Sequence, residues 1–101
     1  MMQVEGTLPV ALLALDGQTQ IDSKKVVMRQ LTAIEYMQAQ ADTKEGQWVN
    51  IADLAAMTKL VDADGNEHPI SYDMLGNSSR SNLDYLNGKL VELKAKEAAA
   101  E

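Results

Sequence analysis

The segment VVMRQLTAIE, Val26–Glu35, passes from a strand pattern to the start of a helix within ten residues. Its first half continues an alternating, β-branched run, Ile21 to Leu31, which is typical of a strand. Thr32 and Glu35 then stand at the spacing of a capping box, in which the Thr hydroxyl accepts from the Glu35 amide and the carboxylate reaches back. The chain is therefore expected to combine strands and helices, with a helix directly after a strand.

The residues before this segment predict a long N-terminal hairpin. Thr7 to Leu15 is apolar, and Asp16-Gly17 is a turn dipeptide because Gly tolerates positive φ. The stretch Gln18 to Ser23 is too polar for a core, so we expect an irregular or bulged loop there.

Two helices are expected after the hairpin. Ile34, Met37 and Ala41 fall on one face of the first, which ends in the stretch Asp42 to Gln47. Asn50 is a candidate cap for the second, which we expect to pack against the hairpin.

A short second hairpin is expected within Leu60 to Ile70, because Asp64-Gly65 is again a turn dipeptide between extended pieces. Ser71 then looks like the cap of a single helical turn, Tyr72 to Leu75. These elements complete a predicted α+β fold: an N-terminal hairpin, central helices, a short second hairpin and a C-terminal helix.

Four leucines define the C-terminal helix by repeating at steps of three, four and three; this leucine seam comprises Leu83, Leu86, Leu90 and Leu93. The seam is the candidate protein-binding site. Two interpretations remain open, since the leucines either close the core alone or close the core and also contact a partner. We expect one α+β domain over residues 1–94, followed by a frayed helical or disordered tail over 95–101.

Composition excludes several classes of function. Nine basic and fifteen acidic residues give a net charge of −6, which disfavours nucleic acid and anionic membranes as partners. The basic cluster Lys24, Lys25 and Arg29 is interpreted as the solvated face of a strand. Cys is absent, so a reducing compartment is the simpler expectation. The apolar run Leu8 to Leu15 is too short to span a membrane and follows no basic segment, so we expect a cytosolic protein.

Sites for chemistry are not expected. Asp62, Asp64 and Asn66 match the first ligand positions of an EF-hand, but Glu67 and Asp73 stand at the sixth and twelfth positions, so a plain turn is favoured. His68 is the only histidine, and a lone His before Pro in a turn is usually solvated. The glycines form no phosphate-binding pattern. The sequence therefore predicts a protein without catalytic residues, cofactor or metal, which binds other chains.

The order of the motifs adds a family resemblance. Its first part is Leu8-Pro9-Val10, then Asp16-Gly17, then Val26 to Ala33 running into a helix; its second is Asp64-Gly65, Ile70 to Asp73 and Asn82 to Leu86. This order resembles the small tail assembly chaperones of Mu-like and other contractile-tailed phages and prophages. The resemblance covers about nine-tenths of the chain.

The resemblance implies a non-enzymatic protein of the host bacterial cytoplasm. Such a protein binds the tape-measure protein, assists assembly of the tail-tube protein around it, and is absent from the finished particle. It also implies that a longer form can arise by ribosomal frameshifting. A structural tail component retained in the virion and a small bacterial regulatory module that binds a protein or ligand stay open as alternatives, as does a homo-oligomeric state.

Overall fold

Two strands followed by two helices occur twice along this chain. The computed structural model describes residues 3–16 and 19–99, and within them the fold is α+β. Its elements are β1 (Gln3–Asp16), β2 (Thr19–Arg29), α1 (Ala33–Asp42), α2 (Val49–Met57), β3 (Thr58–Val61), β4 (Glu67–Pro69), α3 (Tyr72–Gly76) and α4 (Arg80–Ala99). The predicted fold class is confirmed. In this part of the chain no helix is both long and apolar enough to cross a membrane.

The four strands form one antiparallel sheet in the order β1-β2-β3-β4. The predicted N-terminal hairpin is present, although Gly17 and Gln18 of its expected turn lie outside the described residues. The irregular loop predicted for Gln18 to Ser23 is wrong from Thr19 onward, because β2 begins at Thr19 and pairs regularly through Ser23.

The irregularity lies instead on β1. Thr7 pairs with Lys25 and Leu12 with Ser23, so residues 8–11 of β1 lie opposite Lys24 alone. Pro9 stands inside this bulge, where its missing N–H costs no ladder hydrogen bond.

The helices cover one face of the sheet. Val26 and Met28 of β2 join a core cluster with Leu54 of α2 and with Leu86 and Leu93 of α4. Side chains alternate along a strand, so Val27 lies on the opposite face of β2, and it is also buried. The middle of β2 is therefore buried on both faces, which a simple alternating pattern does not predict.

Helix α4 closes the outer edge of β1 with polar side chains. The Tyr85 hydroxyl accepts from the Thr7 amide at 2.9 Å, and Asn82 Oδ1 accepts from the Val10 amide in the bulge at 3.0 Å. Lys96 Nζ donates to the Gln3 carbonyl at 3.0 Å. The first half of this edge strand thus has hydrogen-bond partners on α4, which hinders its pairing with another strand.

Gly6 allows this close approach. An added Cβ at Gly6 would lie 2.1 Å from the Tyr85 hydroxyl oxygen and 2.8 Å from Lys89 Cε. The small residue is therefore required where α4 crosses β1.

The helix caps agree with prediction at two of three positions. Thr32 and Glu35 form the capping box of α1, with bonds of 3.2 Å and 2.9 Å, and Ser71 caps α3. The predicted cap at Asn50 is wrong: the N-cap of α2 is Trp48, two residues earlier, and the Asn50 side-chain amide instead exchanges hydrogen bonds with Asn87 of α4.

Residues 95–99, expected to belong to a frayed or disordered tail, continue helix α4. The helix is unbroken to Ala99, and Glu97 accepts a 2.6 Å bond from Gln30 Nε2. Residues 95–99 are thus helical, and two of them, Lys96 and Glu97, are joined to the rest of the domain. Ala100 and Glu101 lie outside the described residues.

Candidate protein-binding surface

The leucine seam lies against the sheet. Leu86 and Leu93 are 0% exposed, and Leu83 and Leu90 are partly buried against the core cluster. In the folded domain Leu86 and Leu93 therefore offer no surface to a partner. Only the outer parts of Leu83 and Leu90 could contribute to binding.

The apolar face of α1 is exposed, in contrast to the leucine seam. Ile34, Met37 and Ala41 do share a face, but Ile34 is 79% exposed and Met37 is 65% exposed. None of the ten residues of α1 is buried. The apolar face that the spacing predicts therefore points to solvent. Helix α1 contacts α2 through more polar positions such as Gln40, whose side-chain amide donates to Asp53 Oδ1 at 2.9 Å.

The connection between α1 and α2 adds further apolar surface. Trp48 is the only tryptophan of the chain and is 72% exposed, and the neighbouring Val49 is also exposed. The Trp48 backbone is fixed, because its amide donates to the Tyr72 hydroxyl at 2.7 Å. A large aromatic side chain is thus held in solvent on an ordered backbone.

A groove runs between α1 and α2. It consists of two concavities of about 300 and 240 Å³, both open to solvent, which are adjacent because Ala39, Asp42 and Ala56 line both. We call this the α1–α2 groove. Ile34 and Glu35 lie at one end, and Ile70 and Tyr72 lie at the other. The small side chains of Ala52, Ala55 and Ala56 leave space along α2 that none of the described elements fills.

The charges along the α1–α2 groove are negative. Glu35 and Asp42 line it, and no Lys, Arg or His does so among the described residues. Hydrogen bonds from Thr32, first from its backbone and then from its hydroxyl, lower the pKa of Glu35 below the usual range. The carboxylate at the start of α1 is therefore ionised at neutral pH.

Comparisons with known proteins return no similar family model, curated protein or solved structure.

The second hairpin is held by Asp62. Its Oδ1 accepts 2.9 Å bonds from the amides of Asp64 and Asn66, and its Oδ2 lies 2.7 Å from His68 Nε2. Gly65 adopts a φ of 86°, as the predicted turn requires. The Asp62 carboxylate thus stabilises the turn by hydrogen bonds. Among the described residues, no three His, Cys, Asp or Glu side chains are grouped as metal ligands would be.

His68 is not the solvated turn residue that the sequence predicts. It is 8% exposed, lies in β4 opposite Leu60, and contacts Asp62. The hydrogen bond with His68 is the main cause that lowers the pKa of Asp62. A strand of three residues is too short for its alternation to be recognised in advance.

The three residues of the predicted basic cluster have different environments in the structure. Lys24 and Lys25 are exposed, as expected for a solvated strand face. Arg29 instead makes two bonds to the carboxylate of Glu67, one of them 2.6 Å long, and this pairing lowers the pKa of Glu67. Arg29 also donates from Nε to Gln3. Of these three cations, Arg29 is thus paired with a carboxylate of the same domain.

The sequence predicts that Ile34, Met37 and Ala41 share one face of α1, but it predicts no groove between the two helices. The available signal was the composition of α2, where Ala52, Ala55 and Ala56 are too small to fill the space beside another helix.

Proposed function

We propose that this protein is a non-enzymatic binding domain that acts as a phage or prophage tail assembly chaperone. In this role it binds the tape-measure protein in the bacterial cytoplasm and assists assembly of the tail tube. The family part of the proposal depends on the resemblance of the motif order, and the binding part depends on the surface.

The observation that carries the binding part is the solvent-exposed apolar surface of α1 and of the residues that follow it. Ile34 and Met37 of α1 and Trp48 before α2 are 79%, 65% and 72% exposed, and no residue of α1 belongs to the core cluster. Large apolar residues that are exposed on consecutive elements are the kind of surface that protein partners cover. An aromatic anchor such as Trp48 is also a frequent contributor to binding energy.

Co-expression with a tape-measure protein tests the proposal. We expect more of the tape-measure protein to be recovered in the soluble fraction, in complex with this chain, than when it is expressed alone. A paired variant, Met37→Asp with Trp48→Ser, should weaken recovery without unfolding the domain, because both side chains are exposed. Failure to form a complex across several tape-measure constructs would contradict the chaperone role.

Mass spectrometry of purified particles separates the chaperone from the retained structural component. A chaperone is expected to be absent from finished virions. If the chain is found there at a stoichiometry comparable to tail proteins, the structural alternative is correct.

A further inference from the structure

The α1–α2 groove is an open surface between two helices and not an enclosed small-molecule pocket. Its two concavities, about 300 and 240 Å³, are open to solvent and adjacent, with three lining residues in common. Pockets for drug-sized ligands bury about 70–90% of the ligand's surface, which concavities as open as these do not. An elongated groove beside a ten-residue helix instead matches the side of another helix, since ten residues extend about 15 Å.

The lining of the groove allows close approach of a backbone. Ala39 on α1 and Ala56 on α2 face the shared middle, so a partner helix can insert a branched aliphatic side chain between them. Ile34 extends the apolar contact at one end. Helices bound in grooves commonly anchor themselves with apolar residues spaced by three, four or seven positions.

The negative charges of the groove favour a partner helix that carries basic residues. Glu35 and Asp42 are seven residues apart on α1, which places them two helical turns, about 10.5 Å, from each other on the same side. Neither concavity is lined by a described cationic residue, and the whole chain carries a net charge of −6. Two cations separated by two turns on a partner helix would match these carboxylates.

We infer that the α1–α2 groove binds an amphipathic helix of a partner protein that carries an aliphatic stripe flanked by Lys or Arg two turns apart. The inference rests on the proposed function only in taking a protein chain as the partner. It adds the binding surface and the chemistry of the bound segment.

A model peptide tests the inference without any phage protein. The probe is a fluorescently labelled helical peptide with a Leu stripe and Lys residues at i and i+7, and its binding to the full chain is measured by fluorescence anisotropy at low salt. Two control peptides have the same length: one carries Glu in place of Lys, and one is scrambled so that the stripe is lost. We expect binding of the basic peptide that weakens as salt rises, and at least tenfold weaker binding of both controls.

Two matched variants locate the site. Ala56→Arg places a large cation in the shared middle of the groove, at an exposed position of α2. Val91→Arg makes the same type of change at an exposed apolar position of α4 that does not line the groove. With both variants shown to be folded by circular dichroism, Ala56→Arg should weaken binding at least tenfold and Val91→Arg less than twofold. Asp42→Lys should weaken binding and reduce its salt dependence.

Several results would overturn the inference. Equal binding by the two Arg variants would place the site elsewhere, and equal binding of the acidic peptide would refute the selection by charge. If the wild-type chain dimerises in sedimentation experiments and Ala56→Arg makes it monomeric, the occupant is a second copy and not a foreign helix.

The outcome is separable from that of the proposed function. A tape-measure complex that persists in Ala56→Arg would leave the chaperone role intact and refute the groove as its site. Binding of the basic peptide at the groove without any tape-measure complex would support the surface and refute the chaperone role.

Discussion

Replacing Gly6 by Ala would put a methyl carbon 2.1 Å from the Tyr85 hydroxyl oxygen and 2.8 Å from Lys89 Cε. The Lys89 side chain is long and can move aside, but Tyr85 is held by the bond that its hydroxyl accepts from the Thr7 amide. The substitution must therefore displace Tyr85 or separate α4 from β1.

The expected loss of stability follows from these contacts. Forcing a methyl group into a packed contact costs about 1–3 kcal/mol, and losing the bond from Thr7 to Tyr85 costs about 0.5–1.5 kcal/mol. Ala restricts the unfolded chain more than Gly does, which offsets about 0.4–1 kcal/mol. We expect Gly6→Ala to lower the free energy of unfolding by about 1–4 kcal/mol, and the melting temperature by about 4–8 °C for each kcal/mol.

Urea unfolding followed by far-ultraviolet circular dichroism measures this loss. Fluorescence is a poor probe here, because the only tryptophan, Trp48, is already 72% exposed in the folded chain. Gly88→Ala is the control: it lies in α4, its added Cβ would meet nothing within 4 Å, and it should raise stability by up to about 1 kcal/mol.

A second substitution tests the cause. Tyr85→Phe removes the hydroxyl oxygen, so the nearest ring atom to the new methyl group would be Cζ at 3.0 Å. Gly6→Ala should therefore cost less in the Tyr85→Phe background than in the wild type. If the loss is equal in both backgrounds, the hydroxyl is not the obstruction and the reasoning is wrong.

Three further predictions use the same unfolding assay. Asn82→Ala removes the acceptor of the Val10 amide from a position that is 0% exposed, and should cost about 1–3 kcal/mol; a loss below about 0.5 kcal/mol would show that the bulge does not need it. Leu86→Ala should cost about 2–5 kcal/mol because Leu86 is fully buried, whereas Leu90→Ala at a partly buried position should cost less; equal losses would contradict the difference in packing. Asp62→Asn should lower stability at pH 7, and its difference from the wild type should shrink below pH 3.8. The reason is that a folded pKa below the unfolded value of 3.8 stabilises the domain above that pH, and this stabilisation is lost as pH falls through the folded pKa; a difference that stays constant down to pH 3 would refute the role of the carboxylate.

Local chemistry made much of the fold predictable. The capping box at Thr32, the cap at Ser71 and the turn at Gly65 depend on residues within a few positions of each other, and each is found in the structure. The spacing of the leucine seam likewise identified α4.

Features that depend on distant residues were not predictable in the same way. The bulge in β1 is fixed by Asn82, 72 residues away from Val10. His68 is buried because Asp62 and the core-facing side of the sheet are next to it, and neither is apparent from its position before Pro69.

The candidate surface shows the limit of periodicity most clearly. The spacing of Ile34, Met37 and Ala41 correctly gives one apolar face, but spacing cannot say whether another element covers it. In this fold α1 contacts α2 by its other side, so the apolar face and the α1–α2 groove are left open. The leucine seam, which has the same kind of spacing, is covered by the sheet.

The closure of β1 by α4 also determines when this domain can complete its folding. The bonds from Thr7 to Tyr85, from Val10 to Asn82 and from Lys96 to Gln3 join residues 78, 72 and 93 positions apart. On the ribosome, β1 emerges first and its outer edge lacks these partners until α4 has been synthesised. The nascent chain therefore exposes a long strand edge for most of its synthesis, and a chain truncated before α4 would keep an edge that is able to pair with other strands.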